Sequence, residues 1–296
     1  MTALNSLRAS LGAHAARTLI ASLCLVACGG TAHVNQPKDA LSEPGQVLAR
    51  VAENTARRQR LVVEARVSYY GEEGARKAKA IILARRPAAM HFSALSPTDD
   101  LVAMLASDGQ RFTSFQRGAD VCYTGRSCRE NVARFSMFPM EGAQLVDVLV
   151  GGVPVIEAME SEMAWDERAG AYRIELRGAQ NTLQRIWVAH GTWDVKRSEV
   201  LRDGKLQVNL VFDDVAVVAG ERLPHTIDMK MPSRNSDLRV RYRDVELNTE
   251  ISDDAFAVPC PAGTRVETLL CYDERSATQD SPEPVELAPT TDPLHE

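Results

Sequence analysis

The residues of this chain best placed for chemistry are four cysteines in two close pairs, Cys122 and Cys128 in CYTGRSC and Cys260 and Cys271 in CPAGTRVETLLC. Paired thiols either hold a metal or form disulfides. Neither pair has the C-x-x-C spacing of a zinc site, and no histidine lies close in sequence to either, so a metal site is disfavoured. An even count in a chain that begins with an export signal (below) reads as disulfide bonding. Three connectivities are possible. Adjacent pairing, 122 with 128 and 260 with 271, is the simplest, each bridge closing a short loop that contains a glycine. On this reading, the denatured, unreduced mature chain presents no reactive thiol.

Other reactive groups do not assemble into a recognisable motif. G-x-S-x-G, P-loop and H-E-x-x-H patterns are absent. His33 and His295 fall near the chain ends, and His91, His190 and His225 are scattered among β-patterned segments. The acid pairs Asp99-Asp100, Asp213-Asp214 and Asp253-Asp254 fall at predicted turns, where Asp is favoured for backbone reasons. The sequence therefore nominates no catalytic residue, no metal ligand and no cofactor, and the chain is read as a non-enzyme.

The N-terminus carries an address. Residues 1–17 contain Arg8 and Arg17 and no acid, and the uncharged run TLIASLCLVA follows. This is the layout of an export signal; a spanning helix would need roughly 20 apolar residues, and Gly29-Gly30 ends the run short of that. Leu25-Val26-Ala27-Cys28 resembles the lipobox of bacterial lipoproteins. The resemblance implies cleavage before Cys28 and lipidation of that residue, while Cys24 is discarded with the signal. Gly29 stands where Asp would retain an enterobacterial lipoprotein at the inner membrane, so the expected address is the outer membrane, with the domain facing the periplasm. Loss of residues 1–28 leaves 32 basic against 40 acidic residues, a net charge of −8. That balance disfavours nucleic acid as a partner.

Residues 29–45, polar with Pro37 and Pro44, read as a flexible tether. Residues 276–296 hold four Pro, five acids and no Lys or Arg, and read as a disordered acidic tail. One ordered domain is expected between them, over residues 46–275. It opens with QVLARVAENTARRQRL, where Leu48, Val51, Thr55 and Arg58 share a helical face and Arg57, Arg58 and Arg60 suit the C-terminal end of the helix dipole. Roughly ten β-patterned segments follow, among them a hairpin at Asp108-Gly109 and the alternating strand LRVRYRDVEL. A helical insertion at residues 129–152 interrupts them, with Leu145 and Leu149 at i, i+4 spacing and a stop at Gly151-Gly152. The fold class is α+β and mainly β: a large curved antiparallel sheet whose concave face is covered by the opening helix and the insertion.

Two surfaces stand out. Arg239, Arg241 and Arg243 share one face of a strand, either a solvated convex face or a docking surface for an acidic partner. The apolar residues Met90, Phe92, Phe112, Leu145, Leu149, Met229, Val240 and Tyr242 belong either to a packed core or to the lining of a lipid cavity, for which adaptable Met is suited.

The order of one helix, a run of strands, a helical insertion and further strands is similar to that of the LolA/LolB-like lipoprotein-carrier superfamily. The stretches RRPAAMHFSALSP, LVAMLASDGQRFTSF, LVDVLVGGVP and LRVRYRDVELNTEISDDAFAVPCPAGTRV carry the likeness, which covers about residues 46–268. It implies an unclosed barrel with a helical lid over a hydrophobic cavity that binds acyl chains such as palmitate or the lipid moiety of a lipoprotein. The loop Ser96-Pro97-Thr98-Asp99-Asp100 is polar where receptors of this family expose an apolar residue, and aromatic residues make up only 5% of the chain. The alternative function is an envelope sensor or protein-interaction module with a filled core.

Overall fold

The computed structural model describes residues 33–72, 74–136, 138 and 140–272. The expected signal, Cys28 and the acidic tail lie outside the described residues. After helix α1 (Pro44–Ala56) come β1 (Arg60–Gly71), β2 (Gly74–Arg85), β3 (Ala89–Leu95), β4 (Leu101–Ser107), β5 (Arg111–Gln116) and β6 (Val121–Arg126). The insertion forms α2 (Arg129–Phe135) and α3 (Gly142–Leu149). The second half is β7 (Glu160–Asp166), β8 (Ala171–Gly178), β9 (Thr182–Ala189), β10 (Val195–Arg202), β11 (Lys205–Val218), β12 (Glu221–Met231) and β13 (Ser236–Leu247), with β14 (Arg265–Leu269) last.

All fourteen strands join one curved sheet in the order β14-β6-β5-β4-β3-β2-β1-β13-β12-β11-β10-β9-β8-β7. The first and last long strands, β1 and β13, pair at its centre, and two meanders run outward from them. The outer strands β14 and β7 do not pair, so the barrel is unclosed. Alternation decides the faces. On β13 Ser236, Leu238, Val240 and Tyr242 are buried, while Asp237, Arg239, Arg241 and Arg243 are exposed.

The opening helix differs in one respect from the sequence expectation. It starts at Pro44 and stops at Ala56, burying Val47, Val51, Asn54 and Thr55. Arg57 is its C-cap, Arg58 lies beyond it, and Arg60 begins β1. Arg58, expected on the helical face with Leu48, Val51 and Thr55, thus lies outside the helix. The acid pair Asp213-Asp214 also departs from expectation: it lies within β11, not at a turn.

Residues 33–43 are held to the sheet. Val34 N donates to Glu167 O (2.9 Å), and Trp165 Nε1 donates to Val34 O (2.7 Å). Leu41 N donates to the Tyr172 hydroxyl (2.9 Å), which also meets His190 Nδ1 (2.9 Å).

The cysteine pairing is crossed. Cys122 bonds Cys260 and Cys128 bonds Cys271, with Cα–Cα distances of 5.8 and 6.2 Å. Adjacent pairing, the simplest sequence reading, is therefore incorrect. The reason is topological: β14 runs parallel to β6, with Val266 opposite Cys122, while the other strand pairs are antiparallel. Parallel alignment sets the earlier cysteine of each segment beside the earlier one of the other, and the later beside the later.

Candidate functional site: an apolar cavity with a cationic rim

The interior has two unlike halves. Around α3 it is filled. Leu145, Val146, Val148 and Leu149 are fully buried against a continuous core that includes Met90, Met229 and Tyr242. Around α2 it is hollow, with a cavity of about 620 Å³ between the inner face of β1–β5 and α2. That volume lies within the range of about 300–1,000 Å³ typical of small-ligand sites.

A row of small side chains makes the space. Ala80 on β2 pairs with Ala94 on β3, and Ala94 pairs with Ala103 on β4. All three line the cavity. Directly opposed residues on neighbouring strands hold their Cβ atoms about 4.5–5.5 Å apart, so three methyl groups side by side leave a trough that larger residues would fill. Ile82, Met104, Leu105, Phe138 and Val240 complete a buried apolar floor.

The rim is chemically different. Arg76 of β2, Arg134 of α2 and Arg234 of the 3-10 turn Pro232–Arg234 line the cavity, and all three are exposed. Arg134 lies 5.8 Å from the ring centroid of Tyr123 and 6.0 Å from that of Phe135, within cation–π range. None of the described residues lining the cavity is Asp or Glu. The site thus grades from a buried apolar floor to a positively charged mouth.

Helix α3 is pinned rather than hinged. Its Glu141 and Gln144 form a capping box at the N-terminal end. At the C-terminal end the buried Tyr242 hydroxyl donates to Leu149 O (2.8 Å), and Arg58 Nη1 donates to Val150 O (2.5 Å). Burial holds the Arg58 guanidinium down to about 10, and its Nε finds no partner. Arg86 adds an ion pair to Asp147. Gly151 follows at φ +79°; a Cβ there would lie 2.6 Å from Pro224 Cδ and 2.7 Å from Arg58 Nη1.

Of the eight residues nominated as lining, Phe92 and Val240 face the cavity. Met90, Leu145, Leu149, Met229 and Tyr242 belong to the filled half. Phe112 is buried beneath α2, its ring 5.6 Å from that of Phe135. The alanine row and the rim arginines were not singled out in the sequence. Their signal is the inward alternation Arg76, Ala78, Ala80, Ile82 on β2, which reads as a strand with an unusually small inner face.

The remaining candidates lie elsewhere. Arg239, Arg241 and Arg243 are on the outer face; Arg239 makes a two-pronged pair with Asp228, its cross-strand partner, and that contact holds its charge more firmly than usual. Arg241 stands opposite Arg66 of β1. The imidazole of His91 bridges Ala255 O and Ser93 Oγ, both at 2.7 Å, and so ties the segment around Phe256 to the back of the sheet. The loop of residues 96–100 is closed on itself by Ser96, Thr98 and Asp100. Among the described residues no cluster of three or more His, Cys, Asp or Glu could hold a metal, and no helix is long and apolar enough to cross a membrane.

No protein-family model matches the chain, and no curated protein matches it in sequence. Solved structures do. A DUF1329 family protein from Desulfovibrio piger aligns with a TM-score of 0.53 and 12% identity, covering 71% of this chain and 94% of that one. A LolA superfamily protein from Nitrosomonas europaea aligns with a TM-score of 0.50 and 13% identity, covering 73% and 98%. At such identities the likeness establishes the fold: this chain has the LolA-like unclosed barrel.

Proposed function

We propose that this protein is a lipid-anchored envelope protein that takes acyl chains, free or as the lipid moiety of a lipoprotein, into the cavity beneath α2. Anchored at the outer membrane through Cys28, it would work in the periplasm by burial rather than by bond chemistry. The observation that carries this reading is the apolar cavity of about 620 Å³ behind the Ala80–Ala94–Ala103 row. Each square ångström of chain removed from water contributes about 25 cal/mol, so a long acyl chain is held without any special contact.

The test is native mass spectrometry and solvent extraction of the purified full-length protein, followed by delipidation and rebinding of palmitate. A co-purifying or rebound acyl lipid supports the reading, and a protein that neither carries nor rebinds one refutes it. Anchoring is checked separately: radiolabelled palmitate fed to cells should enter the wild type and not the Cys28→Ala variant.

A further inference from the structure

The cavity proposed above to take acyl chains is not electrically neutral at its mouth, and on that reading its chemistry says something about the other end of the ligand. Three arginines from three separate elements line this one cavity and are exposed: Arg76 from β2, Arg134 from α2 and Arg234 from the 3-10 turn before β13. Arginine stays protonated throughout the physiological range. The described lining contains no carboxylate, although acids outnumber bases in the chain, 40 to 34. Neither Arg134 nor Arg234 makes an ion pair among the described residues, whereas Arg239 on the outer face is fully engaged by Asp228. The Arg134 guanidinium lies over the rings of Tyr123 and Phe135, 5.8 and 6.0 Å from their centroids.

We infer that the cavity selects amphiphiles with an anionic head group, the acyl chain lying on the alanine floor and the carboxylate or phosphate held between Arg134 and Arg234 with Arg76 beside them. A planar guanidinium offers paired donors that fit either oxyanion. A neutral acylglycerol would bury the same chain and leave Arg134 and Arg234 without an anionic partner. The shared requirement is negative charge at the head; a free fatty acid and an anionic phospholipid both satisfy it.

The experiment is displacement of a fluorescent acyl probe from the delipidated full-length protein. Palmitate is compared with monopalmitoylglycerol, and dipalmitoyl phosphatidylglycerol with dipalmitoylglycerol, at low and high salt. Charge-assisted hydrogen bonds at the mouth predict that the anionic member of at least one pair binds about tenfold tighter at low salt. The preference should shrink at high salt, because exposed charges are screened. Which pair shows it identifies the source of the head group. The double variant Arg134→Gln/Arg234→Gln should lose the preference and still bind the neutral member, while Arg134→Lys/Arg234→Lys should keep most of it. Equal affinity for anionic and neutral members in the wild type, or a preference that survives the double Gln substitution, overturns this inference and leaves the acyl-binding reading standing. Failure of every probe to bind overturns both.

Discussion

Ala80 on β2 and Ala94 on β3 face each other across the sheet, and Ala103 on β4 continues their row. This relationship, rather than any large apolar residue, makes the cavity. It predicts that Ala94→Phe blocks binding without unfolding the protein. A larger side chain forced into a packed core costs about 1–3 kcal/mol, but Ala94 is only partly buried and its new ring would enter the cavity. Palmitate affinity should fall at least about tenfold, with the melting temperature within about 4 °C of wild type. Unchanged affinity would show that chains bind elsewhere.

The two disulfides predict a specific non-additivity. Each spans more than a hundred residues, with separations of 138 and 143. Yet they join the same two segments, so once one bridge has formed the other closes a loop of only roughly 17 residues. The chain-entropy account gives about 5 kcal/mol for the first bridge and about 3 kcal/mol for the second. Removing either pair by Cys→Ala should therefore cost about 3 kcal/mol, and removing both should cost about 2 kcal/mol more than the sum of the single losses. Urea unfolding of the three variants measures this; strict additivity would show that the bridges act independently. Thiol labelling of the denatured, unreduced mature chain should find none of the four reactive.

Much of this architecture was legible in the chain. Alternation on β13 sorted Leu238, Val240 and Tyr242 from Arg239, Arg241 and Arg243, because a period of two is local information. The insertion was legible from Leu145 and Leu149 and from the Gly151 stop. The crossed cysteines were not, since β14 meets β6 across more than a hundred residues and no local pattern encodes that pairing. The division of the interior into filled and hollow halves was equally hidden. Met90 and Phe92 are two residues apart on one strand face, yet Met90 is wholly buried in the core and Phe92 lines the cavity beside Phe138. Arg58 shows the same limit. Its helical spacing put it on a helix face, whereas the chain leaves the helix at Ala56 and buries it.

The turn after α3 tests the claim that this helix is pinned. Gly151 has φ +79°, and the space where a Cβ would sit is taken by Pro224 and Arg58. Gly151→Ala should cost about 2–4 kcal/mol, combining the left-handed backbone penalty with overpacking. A loss below 1 kcal/mol in urea unfolding would mean that the end of α3 yields easily and that the helix is free to act as a lid.

Tyr242 gives the pH dependence. Its hydroxyl is buried and donates to Leu149 O at 2.8 Å, and burial alone pushes the phenol well above its ordinary value of 10.0. In the unfolded chain the phenol loses its proton above about pH 10; in the folded chain it keeps it. The folded state then binds more protons than the unfolded one, so the contribution of this group is intact below pH 10 and falls as pH rises beyond it, by up to about 1.4 kcal/mol per pH unit. Tyr242→Phe removes both the hydrogen bond and the slope. At pH 8 the variant should be about 1–3 kcal/mol less stable than wild type, because the Leu149 carbonyl is left buried without its donor. At pH 11 the gap should close by about 1 kcal/mol, since only the wild type has been losing stability through this residue. Urea unfolding of the two proteins at both pH values measures the gap directly. A gap of constant size would mean that the phenol ionises as easily in the folded state as in the unfolded one, and that the end of α3 is open to water.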